Sequence, residues 1–342
     1  MSKSTITDIA KAAGVSVSTA SKALSGKGRM QEETRRRIVQ TAEGLGYVPN
    51  KFAQALPRKS LTIGVIIPDV PHEVQYYIQK GIDEGFVSAS EYGVRPLIRT
   101  YGGVQDTNGL FAAVEELKNK VSGLIVEGTG ACGAQLQEMI GRGVPVVTLV
   151  TAVNGLDGAG GVSVEGSVVG RMAAQFLYLV GARKAAVLAG DKELPLHQAN
   201  LRGFIEEGKG LGLETVAVES TFDRMEEAGR LTEQLLEVRP ELSGIFTSSY
   251  VAPAICEVVK RRGMQDHMKV VGLDLYRGTI ACLEDGSLSA VIFQNQVLQA
   301  RTAVQLMLEA LHSGRVQTRL IRPELVMRSN LACYRELISE EL

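Results

Sequence analysis

Tryptophan is absent from this sequence, and cysteine is scarce: Cys132, Cys256, Cys282 and Cys333 are scattered and never fall in a CxxC spacing. That scatter excludes a zinc-finger set or a disulfide frame and reads as small core residues in a reducing compartment. The four histidines include no pair at metal-ligand spacing. No run of apolar residues approaches the roughly eighteen that would span a membrane. The opening residues MSKSTITDIAKAAG lack the apolar stretch of a secretory signal, so a cytoplasmic protein is expected. Also missing are a GxGxxG after a strand, a GxxxxGK[ST] loop, a GxSxG elbow and an HExxH helix. The nearest phosphate-loop-like stretch, GTGACG at 128–133, has no lysine. No cofactor and no enzymatic activity are therefore expected.

What is present is an uneven distribution of charge. Residues 1–59 carry eleven Lys/Arg against four Asp/Glu, a balance of +7, while the remainder of the chain stands at −8. A small basic head on an acidic body points to a polyanion as the partner of the head alone. The 342 residues suggest two or three domains, and 45% hydrophobic content is ample for a large core.

From Leu61 onward, apolar runs of strand type alternate with stretches of helical spacing. The runs are 61–67, 94–98, 123–127, 144–150, 185–189, 215–218, 244–247, 269–274 and 289–293. Ile78, Ile82, Gly85, Phe86 and Ala89 illustrate the helical spacing between them. Continuous apolar strands alternating with helices imply mostly parallel sheets covered on both faces. Nine strands divide naturally into two similar doubly wound α/β lobes, with the break expected near residue 160, in the glycine-rich GLDGAGG stretch.

The head reads differently. TITDIAKAAGVSVSTASKALSG, residues 5–26, contains two short amphipathic helices. Thr7 is the expected cap of the first, with Ile9, Ala10 and Ala13 facing inward. Gly14 ends it, because glycine accepts the left-handed backbone of a tight turn. Val15 packs inward, Ser16 caps the second helix, and Ala20, Ala23 and Leu24 form its inner face. A third helix is expected from Glu32 to Leu45, with Ile38, Ala42 and Leu45 closing the core. This is a helix-turn-helix, whose second helix enters the DNA major groove. Of its outward residues Val17, Ser18, Ser21 and Lys22, Val17 and Ser18 can reach base edges and Lys22 a guanine edge or a phosphate, while Thr5, Ser16, Thr19 and Ser21 are candidate phosphate contacts.

The combined pattern, DIAKAAGVSVSTASKALSGKG with ETRRRI and AEGLGYVPNKFAQAL, resembles the head of the lactose-repressor (LacI) family of transcription regulators. The resemblance covers the whole head and, more loosely, the whole chain. It implies a helix-turn-helix head (1–49), a hinge (50–60) and a core like that of periplasmic sugar-binding proteins. The head-proximal core lobe would comprise 61–160 with about 294–322, and the distal lobe 161–293 with about 323–342. It further implies a hinge helix formed on operator DNA, with Asn50 in the connector, Ala53 facing the partner hinge and Leu56 wedging into the minor groove of bent DNA. Two departures are that Pro57 directly follows Leu56, and that Lys22 stands where the family usually has arginine.

In such a core the ligand lies between the lobes, at the carboxyl ends of the strands. Asp274 after KVVGLD and Gln294 after SAVIFQ occupy such ends, and a carboxylate with an amide suits a polyol. The competing reading of Asp274 is a helix N-cap. Other candidates for the effector site are His72, Glu73 and Gln75 after the first strand, Glu127 and Thr129 after the third, and Asn200, Ser249 and Tyr250 further on. Asn200 replaces the family arginine two residues before Arg202-Gly203-Phe204, and the stretch at 72–75 lacks the family's aromatic platform. His197 and Gln198 lie near a helix start. Val74, Tyr76, Tyr77 and Ile78 are compatible with a homodimer contact, and the tail after Tyr334 is too short for a tetramerising heptad segment. The expected function is a repressor whose affinity for operator DNA is set by a sugar-like effector. The alternatives are control by a protein partner and a transport-linked solute-binding protein.

Overall fold

A computed structural model of the chain describes residues 6–24, 30–45, 61–69, 72–89, 93–103, 106–127, 130–151, 155–192 and 195–334. It separates into a head unit of residues 1–60 with 91–93 and a body of residues 61–90 with 94–342. Of the expected site residues, Thr5, Asn50, Ala53, Leu56 and Thr129 lie outside the described residues, and only the backbone is described for Ser21 and His72.

The head is built from α1 (Ile6–Ala12), α2 (Val17–Leu24) and α3 (Glu32–Gly44). Ile9, Ala10, Ala13, Ala20, Ala23, Ile38 and Ala42 form its core, with Val15, Leu24 and Met30 packed against it. Five alanines in so small a core let the helices approach closely. Gly14 turns the chain at φ +66°, a conformation that costs a residue with a Cβ about 1–2 kcal/mol. The Ser16 hydroxyl then accepts the Thr19 amide at 3.2 Å and caps α2. Two expectations fail here. Thr7 lies inside α1 rather than capping it. Leu45 is 42% exposed because α3 ends one residue earlier.

The first half of the body runs β1 (Leu61–Pro68), α4 (His72–Ala89), β2 (Val94–Tyr101), α5 (Thr107–Leu117), β3 (Gly123–Val126), α6 (Gly133–Gly141), β4 (Val146–Val150) and β5 (Gly160–Val164). Next come α7 (Gly166–Leu179), β6 (Lys184–Ala189), α8 (Pro195–Leu211), β7 (Glu214–Ser220), α9 (Met225–Val238), β8 (Gly244–Thr247), α10 (Ala252–Arg261), β9 (Lys269–Leu273), α11 (Arg277–Glu284) and β10 (Ala290–Phe293). Last are α12 (Gln296–Ser313), β11 (Thr318–Ile321) and β12 (Glu324–Val326).

Two six-stranded sheets result, ordered β11-β5-β4-β3-β1-β2 and β12-β10-β9-β8-β6-β7. Every pairing is parallel except that of β12 with β10. The chain crosses between lobes after β5, after β10 and after β11. Central strands such as β1 and β3 are continuously buried, as parallel strands covered by helices on both faces must be. Strand β2 lies at an edge, which tolerates Pro96 and leaves Arg95 exposed.

The break expected near residue 160 is corrected by this topology. Gly160 and Gly161 open β5, which belongs to the first sheet. Their glycines serve packing, since a Cβ at Gly160 would collide with the Gln317 carbonyl and one at Gly161 with Thr148. The lobe boundary therefore falls after Val164. Strands β11 and β12 had no counterpart among the nine apolar runs, because TRLI alternates with polar residues and ELV is only three residues long. Among the described residues no helix is long and apolar enough to cross a membrane.

Candidate functional site

In doubly wound sheets a ligand crevice opens beyond the carboxyl ends of the strands, where the strand order reverses. In the first sheet the reversal lies between β1 and β3, and in the second between β6 and β8. Glu127 stands at the first of these points, directly after β3, with its amide bonded to the Ile66 carbonyl of β1. Its carboxyl atom Oε2 is buried without a hydrogen-bond partner. Burial disfavours the charged form and pushes the Glu127 carboxyl up to about 8.

On the second lobe, Asp274 follows β9 with φ 59° and is 3% exposed. Its two oxygens accept the backbone amide of Gln294 at 2.7 Å and that residue's side-chain amide at 2.9 Å. Burial raises the Asp274 carboxyl to about 6 against the opposing pull of these bonds. The sequence-predicted pair is thus joined directly. The helix-cap reading of Asp274 fails: the N-cap of α11 is Tyr276, whose amide donates to the Thr279 hydroxyl at 2.8 Å.

The lobes meet across Tyr276. Its hydroxyl accepts the Gln296 side-chain amide at 3.3 Å, and its ring lies 6.1 Å from that of Tyr77 on α4. One turn before Tyr77, the Glu73 carboxylate accepts the Arg277 amide at 3.0 Å, so a first-lobe side chain caps a second-lobe helix. Val74, Tyr76, Tyr250 and Val297 pack around the two rings. Of the four residues expected at a dimer contact, burial within the chain removes Tyr77, 6% exposed, and Ile78, 1% exposed, while Val74 and Tyr76 are only half-buried.

At the second reversal His197 is buried, and its Nδ1 is hydrogen-bonded to the Ser248 hydroxyl at 2.9 Å. Burial lowers the His197 pKa, opposed by Asp223 and Asp191. Ser249 donates its hydroxyl to the Asp223 carboxylate at 2.5 Å, and the Tyr250 hydroxyl donates to the Asp223 carbonyl at 2.5 Å. Ser249 and Tyr250 are therefore held by the loop after β7, where Phe222 and Asp223 adopt positive φ. Asn200 is 1% exposed and neither of its amide atoms has a partner. It lies where α8 crosses Gly166 and Gly170 of α7 so closely that neither glycine could carry a Cβ undisturbed. Gln75 is half-buried on α4, and Arg202 points outward.

The structure thus brings Glu73, Glu127, Asp274 and Gln294 together around Tyr276, with Ser249 and Tyr250 held in a neighbouring cluster by Asp223. Sequence reasoning did not assign Tyr77, Tyr276, His197 or Asp223 to the site. Tyr77 had a signal, since it lies four residues after Glu73 on one helical face. Asp223 could be found only from its contacts.

On the head, Val17 is 44% exposed, and Ser18 and Lys22 are exposed on the same helix. Ser16 is bonded to both Ser18 and Thr19, at 2.9 and 2.8 Å, which fixes the hydroxyl cluster at the start of α2. A helix start of this kind offers amide donors to a phosphate.

Comparison with known proteins adds five findings. Residues 63–315 match the periplasmic binding protein domain family, and residues 5–50 match the bacterial regulatory proteins of the lacI family. The ribose operon repressor of Bacillus subtilis (strain 168) is 29% identical over 278 residues, 79% of this chain and 81% of the relative. The HTH-type transcriptional repressor CytR of Escherichia coli (strain K12) is 25% identical over 338 residues, 95% of this chain and 96% of the relative. Among solved structures, an ABC transporter solute binding protein from Burkholderia graminis C4D1M, in complex with D-arabinose, superposes with a TM-score of 0.75. That alignment has 19% identity and covers 81% of this chain and 99% of the other.

Proposed function

This chain belongs to the lacI family of bacterial regulatory proteins, a helix-turn-helix head joined to a periplasmic binding protein domain, and we propose that it is a transcriptional repressor whose hold on operator DNA is set by a sugar-like molecule bound between the two lobes. The observation that carries the small-molecule half of this reading is the Asp274–Gln294 pair at the carboxyl ends of β9 and β10. A carboxylate accepts hydroxyl protons, and an amide both donates and accepts, which together suit a polyol. Two relatives named as repressors, one of them of a ribose operon, point the same way.

For the DNA half, α2 reads the major groove through Val17, Ser18, Ser21 and Lys22. Thr5, Ser16 and Thr19 hold phosphates, and residues 50–60 act as the hinge through Asn50, Ala53 and Leu56. Lobe closure on the ligand changes how the hinges of a homodimer are presented to DNA. The operator affinity then shifts by the difference in ligand affinity between the two arrangements. The dimer face is the outer side of α4 and α12, where Tyr76, Lys80, Asp83, Glu84, Val87, Ser88 and Arg301 line a recess of about 650 Å³. The protein acts in the cytoplasm and takes neither cofactor nor membrane as a partner.

The test is fluorescence anisotropy of the intact protein on duplexes selected from random DNA, with and without a panel of pentoses, hexoses and polyols. Selection of a two-half-site sequence, with its affinity changed at least about fivefold by one panel member, is expected, corresponding to about 1 kcal/mol of coupling. Absence of any sequence-selective, salt-sensitive binding would refute the DNA half.

A further inference from the structure

The residues that converge on the cleft are unbalanced in charge. Asp274 from the second lobe is buried and Glu127 from the first is half-buried with its Oε2 shut off from solvent, and among the described residues neither is bonded to a basic side chain: Glu127 leaves Oε2 without a partner, and Asp274 is held by amide groups of Gln294. The charges that reach the Tyr276 hydroxyl are those of Asp274, Glu73 and Glu127, together with the phenol of Tyr77. On the other side of Glu127, Tyr101 feels Glu127, Cys132 and Asp106. At the second reversal point His197 is bracketed by Asp223 and Asp191, and burial keeps its ring neutral. Among the described residues, a cation whose charge enters this surrounding is Arg277, which acts on Tyr77 and is itself exposed to solvent.

Polar groups without partners accompany this excess of acids. The Tyr77 hydroxyl is buried and unpartnered, although the ring is turned toward Tyr276 across the lobes. Burial and the neighbouring Glu73 hold it protonated, with its pKa pushed up to about 12. Asn200, neutral and likewise unpartnered, offers no charge for an anion. A phosphorylated or carboxylated ligand would bring a second anion beside the Asp274 carboxylate, where no guanidinium among the described residues stands to receive it, which is unfavourable in a desolvated cleft. A cation would be stabilised there.

We propose that the effector is a hydroxylated ring bearing a protonated amine, an amino sugar in chemical class, with the amine seated against Glu127 and the hydroxyls against Asp274 and Gln294. This rests on the reading of the cleft as a small-molecule site. The proton balance follows from the burial of Glu127. At neutral pH the empty cleft holds this carboxyl in its protonated form. The arriving ammonium favours the carboxylate, so the Glu127 proton passes to buffer, about one per ligand bound. The ammonium keeps its own proton and donates it in a hydrogen bond.

The test is titration calorimetry on the intact protein at pH 7, in two buffers of different ionisation enthalpy. The probes are matched sets on the glucose, galactose and mannose frames: the 2-amino sugar, the neutral sugar and the sugar 6-phosphate. On any frame that binds, the amino member should be about tenfold or more tighter than the neutral one, since an opposite charge that lowers such a carboxyl by about two pK units leaves it ionised at pH 7. It should also release close to one proton, and the phosphate should not bind. Tightest binding by a neutral or phosphorylated member would overturn the charge assignment while leaving the sugar reading intact. Failure of every frame would overturn the sugar reading and this inference with it. Glu127→Gln should lose both the amine preference and the proton release, its folding being checked by circular dichroism. Should that variant not fold, the wild-type protein decides alone: proton release should fade as the pH is raised past 8, and a release independent of pH would contradict the role of Glu127.

Discussion

A carboxyl group buried without a partner resists ionisation, because the charged form gives up hydration and gains nothing in return. Glu127, whose Oε2 is buried and unpartnered, behaves this way, its carboxyl raised from 4.5 to about 8. Unfolded, it ionises near its ordinary value; folded, it keeps its proton until pH 8 is approached. Its contribution to stability is therefore fully present below about pH 4.5, falls as the pH rises through the window, and levels off above 8. Glu127→Gln, which cannot ionise, should gain stability relative to the wild type between pH 5 and pH 8, by on the order of a few kcal/mol at most. Urea midpoints of the two proteins at several pH values check this, and parallel curves would show that Glu127 is not the buried acid described here. On the head, Lys22→Ala should weaken operator binding by about 1–3 kcal/mol and relax selection at one base pair if the ammonium reads a base edge. If it touches phosphate instead, binding should weaken evenly across sequences and the salt slope should fall by about one. Asp274 and Gln294 were legible because each follows an apolar strand. Asp223 and Tyr276 were not, since their roles depend on contacts between segments far apart in the chain.

Close approach between elements is purchased with glycine. Helix α4 lies so near α12 that a Cβ at Gly81 would strike the Val297 carbonyl, while one at Gly85 would press on Val304 at 2.8 Å. The carbonyl belongs to helix backbone and cannot swing aside. Gly81→Ala should therefore destabilise the body by about 1–3 kcal/mol, the usual cost of overpacking, despite alanine's better helix propensity. Chemical denaturation measures the change, and a stabilised variant would show that the helices can separate freely. The α4 pattern was readable in advance, since Ile78, Ile82, Phe86 and Ala89 recur at helical spacing and all four are buried. Tyr77 was misjudged because it resembles an interface residue in sequence and turns out to pack across the lobes on Tyr276. Strand β5 was missed for a related reason: glycines look like a linker until the neighbouring strand that needs them is visible.

Over the whole molecule, the separation of charge into a head at +7 and a body at −8 was readable from composition, and it matches the division of labour between DNA and small molecule. The alternation of apolar runs with helices likewise revealed two parallel-sheet lobes. The pairing of one lobe against the other, through Glu73 on the cap of α11 and Tyr77 on Tyr276, was hidden. Under the proposed function, those contacts are the means by which a ligand between the lobes would bias their arrangement. If that bias reaches the head, linkage requires the effect to be reciprocal. The most direct measurement is the dissociation constant of the sugar for the intact protein, alone and saturated with its selected operator duplex. The account predicts two different constants, whose ratio equals the factor by which the same sugar changes operator affinity. Equal constants, with both ligands bound, would contradict the claim that the body controls the head.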